Sequence, residues 1–421
     1  MALARVKTMD TAIPPTGRGA LQKRESRLAW GLLMPTVISV SLVVILPLLA
    51  IFWISFKPIG LADLRPTAPV VREALRTRGD SVQIDYRIRN SSPSYSIEQF
   101  GFTDVFPDGM TLANGAELPE QCTFTDATLS CEFGDVEGGF SERLRLPLII
   151  DGDVEAMEQA AESSEPVTRG TADNILTNST LTLANFKRVF DSDEFFEVLW
   201  VTMFYTVFGT IGALLFGLFA ALLLDKSFKG QGILRGLYLF PYVSPVIAVA
   251  FTWVALFDPF SGSANALLVQ MGVTDEAINF FGERPLALIT VTVFEIWRYF
   301  PLSFLFILAR MQSIDADMYE AAEMDGASPF QQFRYLSLPQ LLGILSVLFL
   351  LRFIWTFNKF DDIFLLTGGN AGTRTLTVNV YEQAFAISNI GAGAAVAVVI
   401  FCCLLLFSLF FFRFVSREEG L

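Results

Sequence analysis

Apolar and polar residues alternate along this chain on two very different length scales. On the long scale, Leu28 to Phe56, Val198 to Leu224 and Phe385 to Phe412 each run for more than 25 residues without one Asp, Glu, Lys or Arg. A membrane-crossing helix needs ~20 mostly apolar residues. Charge-poor windows of this kind predict six spans, at about 28–56, 197–224, 235–257, 285–309, 338–363 and 388–412. Pro241 and Pro245 mark kinks in the third.

On the short scale, between the first and second spans, the period falls to two. Ser81-Val82-Gln83-Ile84-Asp85-Tyr86-Arg87-Ile88-Arg89-Asn90 alternates apolar and polar residues, as a half-buried strand does. Turn chemistry follows at Pro107-Asp108-Gly109, Asn114-Gly115 and Gly138-Gly139. Arg143-Leu144-Arg145-Leu146 alternates again before Leu148-Ile149-Ile150. Several short strands at this spacing predict a small β-sandwich over about 80–150. From Asp151 to Thr171 the chain is rich in Glu, Ala and Ser without strong periodicity, which predicts a short helix or linker returning to the membrane.

Composition sharpens this division. The 421 residues are 52% hydrophobic and only 17% charged, against about a quarter charged in ordinary soluble chains, so a soluble fold is excluded. There is no His, which removes imidazole metal sites and catalytic triads. The net charge of −13 is concentrated: residues 60–180 hold 21 Asp and Glu against 9 Arg and no Lys, while the remainder is close to neutral. Such acidity is first of all that of a solvated surface.

Orientation follows from Lys and Arg near the span ends. Arg5, Lys7, Arg18, Lys23, Arg24 and Arg27 precede the first span, and Lys226, Lys229 and Arg235 follow the second, so both segments are expected in the cytoplasm. Both termini are then inside and the acidic insert is outside. The first span follows a long polar tail without a small-residue cleavage site and reads as an anchor. The expected division is a basic cytoplasmic tail at 1–27, a first helix at 28–57, an outside insert at 58–180, a five-span core at 181–415 and a cytoplasmic tail at 416–421. The loop 310–339 falls in the cytoplasm by alternation, yet holds Asp315, Asp317, Glu320, Glu323 and Asp325 against Arg310 and Arg334. It needs another reason to be acidic.

Two resemblances enter here. The stretches Tyr86 to Asn90, Asp104-Val105-Phe106-Pro107-Asp108-Gly109-Met110 and Cys122…Cys131 resemble the immunoglobulin-like repeat modules of bacterial surface proteins. That resemblance implies a Cys122–Cys131 disulfide, in keeping with an oxidising compartment and worth about 2–3 kcal/mol, with two free thiols as the alternative. Cys402 and Cys403 lie in an apolar span and read as packing residues.

The second is carried by Tyr319-Glu320-Ala321-Ala322-Glu323-Met324-Asp325-Gly326-Ala327-Ser328-Pro329-Phe330, continuing to Leu338-Pro339. Physically, a short helix starts near Asp315, where carboxylates favour the dipole, and stops at Gly326. Ser328 caps a second helix with Pro329 at its first position. The loop resembles the "EAA" motif of ABC-importer membrane subunits of the carbohydrate (maltose-type) branch. Asn185-Phe186 with Phe195-Phe196, and Leu366-Thr367-Gly368-Gly369 with Tyr381 and Ala384-Phe385, resemble other parts of that family. The resemblance implies a six-span all-α permease of a bacterial inner membrane, with the immunoglobulin-like module as an addition. It implies that Glu320, Ala321, Ala322, Asp325, Gly326, Ala327, Pro329 and Phe330 form a coupling helix seated in a cytoplasmic ATPase. The implied partners are two copies of that ATPase, a second, related permease subunit, a periplasmic solute-binding protein and lipid, with no nucleic acid and no cofactor. No Gly-x-x-x-x-Gly-Lys-Ser/Thr pattern occurs, so ATP hydrolysis is expected on a separate chain.

Ionisable residues within spans are costly and usually face a cavity or a partner. Helical spacing groups Glu295, Arg298 and Tyr299 on the fourth span, and Arg352, Trp355, Thr356 and Lys359 on the fifth. By the resemblance, Glu295, Tyr299, Leu302, Arg352, Thr356 and Lys359 align with sugar contacts. The alternative is a structural Glu295–Arg298 or Glu295–Arg352 ion pair. Asp361, Asp362 and Lys359, near the outer end, read otherwise as a solvated rim. The function expected is inward translocation of a sugar, such as a di- or oligosaccharide. The alternatives are a polyol or glycerol phosphodiester on the same scaffold, or a membrane anchor or sensor displaying the module. The insert is expected either to dock the binding protein or to act as a spacer.

Overall fold

A computed structural model describes residues 20–78, 81–93, 95–113, 115–151, 166–175, 178–191 and 193–414. Most of the basic N-terminal tail, most of the Glu/Ala/Ser-rich stretch at 152–165 and the last seven residues lie outside the described residues. Among the described residues, five helices are long and apolar enough to cross a membrane: Arg24–Ser55, Phe195–Leu224, Leu286–Met311, Pro329–Phe357 and Ile390–Arg413. A sixth crossing is a broken pair, Gln231–Val243 and Val246–Leu256, bent by 90°. The protein is thus a multi-pass membrane protein with five or six apolar spans.

The first span, with its π-helical turn at Ser41–Ile45, belongs to a compact unit of its own that ends at Trp53. From Ile54 onward the chain is a second unit. Within it the second and fourth spans make the tightest helix pair, and glycines explain the approach. A Cβ on Gly209 would lie 2.9 Å from Glu295 Cγ, and one on Gly217 would lie 2.8 Å from the Phe304 backbone nitrogen. Small residues at such an interface let backbones close to packing distance, which is the main source of helix association in lipid.

The third span departs from the straight, kinked helix that its charge-poor window predicts. Pro245 has no N–H to continue the ladder, and its ring drives Ser244 to an extended backbone with ψ 143°, so the helix stops and restarts. The fifth span also differs. Its helix ends at Phe357 rather than running to 363, and Asp361–Thr367 forms a separate short helix closed by Gly368 at φ +64°.

The insert is built of two antiparallel sheets. One has the order β1(Pro69–Arg72), β3(Ser81–Asn90), β8(Ser141–Ile150), β5(Met110–Leu112), with β2(Leu75–Arg78) also paired to β3. The other has the order β6(Cys122–Thr125), β7(Thr128–Val136), β4(Ile97–Val105), β9(Val167–Thr171). Strands therefore extend beyond 80–150 on both sides. In particular, Val167–Thr171 is a strand where the sequence predicts helix or linker. Pairing with β4 supplies the order that its own periodicity lacks. Ile84, Tyr86, Ile88, Phe100, Phe102, Leu129 and Leu146 from both sheets form the buried core. Cys122 and Cys131 face each other across β6 and β7 and form a disulfide.

Where the insert leaves and rejoins the membrane body, its two ends are tied together. Lys57 Nζ donates to the Asn178 carbonyl and side-chain oxygens at 2.5 and 3.1 Å. Asn185 donates to the Ser55 and Lys57 carbonyls at 2.9 and 2.7 Å. Gly391, at the start of the last span, donates to Ile59 O at 2.9 Å.

Candidate functional site

Two features stand out within the membrane body: a buried polar cluster among the spans, and an exposed hairpin between the fourth and fifth.

The cluster is centred on Glu295, nine residues into the fourth span and so ~14 Å along its axis. It is fully buried. Arg352 Nη2 of the fifth span donates to its Oε1 at 2.5 Å, Thr356 Oγ1 donates to the same oxygen at 2.9 Å, and Tyr205 of the second span donates to Oε2 at 3.0 Å. Three spans thus converge on one carboxylate, and each of its oxygens has a protein donor. Of the two ion pairs open to Glu295 from the sequence, the structure forms the one with Arg352.

Tyr299 lies one turn further along. The Arg352 guanidinium and the Lys359 ammonium each sit 4.5 Å from its ring centroid, two cation–π contacts on one tyrosine. Lys359 reaches Asp361 at 3.4 Å and Asp362 at 3.9 Å. Asp362 is not part of a solvated rim: it is fully buried, because the turn at Asn358–Phe360 folds its short helix back against the spans. Neither of its carboxylate oxygens has a hydrogen-bond partner among the described residues.

Helical spacing on the fifth span groups four residues, and three of them meet. Trp355 is instead 52% exposed, on the flank of the helix. Leu302 is half-buried. Arg298 is buried but turns away from Glu295. Its guanidinium donates to the carbonyls of Pro241 and Ser244 at 3.2 and 3.1 Å, at the break in the third span. The 3.6-residue period places a side chain on a face but not its long reach, and free carbonyls at a broken helix end attract a guanidinium strongly. Tyr205 is the cluster residue that the sequence reading missed. A signal was present: Thr202, Tyr205, Thr206, Gly209, Thr210, Ala213 and Gly217 repeat at helical spacing in an otherwise bulky apolar run, and all are buried.

The hairpin begins with Asp315, whose carboxylate accepts from the Asp317 N–H at 3.2 Å and caps the helix Ala316–Met324. Gly326 ends it at φ +80°, with the Gly326 and Ala327 N–H groups returning to Glu323 O and Ala322 O at 2.9 Å each. Ser328 and Gln331 form a capping box around Pro329. From Pro329 the helix runs on through a π-helical stretch at Phe333–Ser337 into the fifth span, so the second arm is the span itself, not a separate helix. Tyr319 and Ser337 hydroxyls meet at 2.8 Å and pin the first arm to the second. Glu320, Ala321, Asp325, Gly326, Pro329 and Phe330 are exposed, and Ala322 and Ala327 are half-buried. Met324 and Phe330 present large apolar side chains at 89% and 73% exposure.

A third feature lies where the second and fourth spans begin. Glu194, Glu197, Arg284 and Arg374 surround a cavity of about 240 Å³ under Gly369–Gly372. Arg284 pairs with Glu197, and Arg374 with Glu194, both at 2.5 Å. These exposed pairs organise the loop and contribute little stability.

Comparison with known proteins agrees with this architecture. Residues 213–419 match the family described as "Binding-protein-dependent transport system inner membrane component". The inner membrane ABC transporter permease protein YcjO of Escherichia coli is 36% identical over 220 residues, which cover 52% of this chain and 74% of that protein. The trehalose/maltose transport system permease protein MalF of Thermococcus litoralis is 32% identical over 232 residues, 55% of this chain and 78% of that one. The sn-glycerol-3-phosphate transport system permease protein UgpA of Salmonella choleraesuis is 30% identical over 242 residues, covering 56% and 80%. In fold, a chain of a bacterial alginate ABC transporter, solved with its alginate pentasaccharide-bound periplasmic protein, superposes with a TM-score of 0.53 at 18% identity, over 56% of this chain and 83% of that chain.

Proposed function

The chain belongs to the family of binding-protein-dependent transport system inner membrane components, and from that premise we propose that it imports a sugar, a di- or oligosaccharide. It is a non-catalytic membrane subunit of an ABC importer. The sugar reading is supported by the names of relatives, trehalose/maltose among them, and by a cluster rich in hydroxyl, carboxylate and cationic groups at membrane depth. A glycerol phosphodiester or polyol on the same scaffold is the second reading, favoured by the likeness to the glycerol-3-phosphate permease and by the three cations Arg298, Arg352 and Lys359.

The observation that carries the mechanism is the exposed hairpin. In this reading Glu320 to Phe330 is the coupling element on the cytoplasmic side, with Met324 and Phe330 entering a cleft of the ATPase. Two ATPase copies close on ATP, drawing this hairpin and that of a second, related permease subunit together. The spans then rock between two discrete packings. Because the second arm continues directly into the fifth span, a push on the hairpin reaches Arg352 and Glu295 through one rigid helix.

Within the path, the roles divide. Arg352, Thr356 and Tyr205 satisfy the Glu295 carboxylate and hold three spans together. Asp362 keeps unused hydrogen-bonding capacity, and together with Lys359 and Tyr299 beside it contacts the sugar. Arg298 caps the break in the third span, and Leu302 and Trp355 flank the path. The insert, read as an immunoglobulin-like module, stands outside the membrane with both termini inside, and it docks the solute-binding protein.

The deciding experiment is uptake by the assembled importer with Lys359→Ala and, separately, Arg352→Ala. The reading expects Lys359→Ala to weaken uptake with assembly intact. Normal uptake of the sugar by that variant would remove the residue from the path.

A further inference from the structure

The acidic insert hides a cationic face. The strands of the β1–β3–β8–β5 sheet, with β2, hold seven arginines against Asp85 and Glu142, while the strands of the opposite sheet hold Arg169 against Glu98, Asp104, Glu132 and Asp135. Strand register places the arginines on one side. Arg72, Arg87 and Arg143 are directly opposite one another across β1, β3 and β8. Arg89, opposite Val70 and Ser141, is one pair away towards the start of β1, and Asp85 with Arg145, then Gln83 with Arg76, follow in the other direction. Residues opposite in register share a face, and alternate residues along a strand return to it. All six of these arginines are exposed, whereas Ile84, Tyr86, Ile88, Leu144 and Leu146, one position out of phase, form the core.

One carboxylate serves this array. Asp85 takes Arg143 in a fork, Nε to Oδ1 at 2.7 Å and Nη2 to Oδ2, with Arg76 at 3.4 Å. Arg72, Arg87, Arg89 and Arg145 have no ion pair among the described residues. Like charges directly opposite on a sheet destabilise it. Of the row of three guanidinium groups only Arg143 is repaid inside the fold, by Asp85, and Arg72 and Arg87 beside it are a cost without an internal partner.

We propose that this arginine face docks an acidic surface of the importer's solute-binding protein. The inference rests on the reading of the chain as a binding-protein-dependent permease and names the surface and its chemistry. Three features favour a protein partner. Guanidinium forks match carboxylates in bidentate pairs. The same face carries Val70, Pro147 and Ile149 among the charges, the mixture of Arg and apolar groups typical of protein interfaces. It carries no Lys, and no aromatic ring to stack on a sugar or anchor in headgroups. Four strands at ~4.8 Å and about ten residues of length give a face on the order of 600 Å². That is smaller than the ~800 Å² per partner of a stable complex, as suits a partner that must leave after each delivery.

The test uses the full importer in nanodiscs and its purified solute-binding protein, comparing Arg87→Glu/Arg145→Glu with the unchanged complex. Both residues are exposed; an unchanged thermal unfolding midpoint of the Glu variant checks that folding is retained, and Arg87→Lys/Arg145→Lys serves as the conservative control. The expected result is at least about tenfold weaker association for the Glu variant, with near-normal association for the Lys variant. Association of the unchanged complex should also fall on going from about 0.05 to 0.5 M salt, and that of the Glu variant should not. If the Glu variant binds and stimulates ATP hydrolysis normally, the docking face is elsewhere while the importer reading stands. If it instead loses only binding to phosphatidylglycerol vesicles, the face belongs to lipid and the proposal is overturned. An unchanged complex that never responds to the binding protein removes both readings together.

Discussion

A buried carboxylate among apolar helices is tolerable only when its partners stay. Glu295 has Arg352, Thr356 and Tyr205 as donors, and Arg352 in turn lies over Tyr299. Removing Arg352 strands an uncompensated charge, which costs on the order of 3–5 kcal/mol, whereas replacing both members of a buried pair is often neutral. Arg352→Met is therefore expected to lower the thermal unfolding midpoint of the purified complex steeply, and Glu295→Gln/Arg352→Met to recover most of it. Equal losses in the single and double variants would show that the pair is not a lock. In the insert, two carboxyls titrate with opposite sign. Burial, reinforced by neighbouring Asp104, raises Glu73 to about 9, while the Arg143 fork holds Asp85 below the ordinary carboxylate range. Glu73 binds its proton more tightly folded than unfolded, so its support is full below about pH 4.5 and is lost as pH rises towards 9. Asp85 behaves inversely: its support is present above about pH 3.8 and is lost below that. Amide exchange at β3 and β4 should accordingly quicken between pH 5 and 9 beyond the intrinsic rate, and Glu73→Gln should abolish the excess. Excess exchange that survives in the variant would place its cause elsewhere.

Elements were legible where one local rule governed them. The long charge-free runs became spans within a few residues of their expected ends, because backbone satisfaction in lipid leaves helix as the ready solution. The caps of the hairpin were readable to the residue, since Asp315, Gly326, Ser328 and Pro329 each have one favoured place at a helix end, while the continuity of its second arm with the fifth span was not. What failed to show were outcomes of tertiary contact: the 90° break at Ser244-Pro245, held by Arg298 from another span, the burial of Asp362, and strand β9, ordered by β4. Two predictions belong here. Replacing Gly326 by Leu forces a bulky residue to φ +80°, a conformation costing about 1–2 kcal/mol, and is expected to abolish transport while membrane insertion stays normal. Uptake at the ordinary rate would mean that the turn has no coupling role. Arg298→Ala frees the carbonyls of Pro241 and Ser244 and is expected to speed amide exchange at residues 240–248 without changing the Glu295 cluster. Unchanged exchange there would remove Arg298 as the brace of the bend.

At the scale of the whole molecule, two folding regimes share a chain. The membrane body packs through small residues such as Gly209 and Gly217, and the insert through an aromatic core and a disulfide. The cross-ties of Lys57, Asn178, Asn185 and Gly391 bring the ends of the insert together, so its removal is expected to leave the body able to assemble. Deleting residues 66–172 should then preserve basal ATP hydrolysis by the complex and lose its stimulation by the binding protein. Full stimulation without the insert would reduce it to a spacer. The sequence reading reached this division through the change of hydrophobic period and through net charge, since the excess of acidic over basic residues falls almost entirely in one segment. The separation of arginines from acids within that segment appears only once strand register is known.

The most direct test of the account is hydrogen–deuterium exchange of the hairpin, measured in the permease alone and in complex with its ATPase. The account predicts that residues 316–332, exposed in the free chain, gain strong protection on assembly, with Met324 and Phe330 at its centre and β1–β9 unaffected. A hairpin that exchanges as fast in the assembled, ATP-hydrolysing complex as in the free subunit would contradict it.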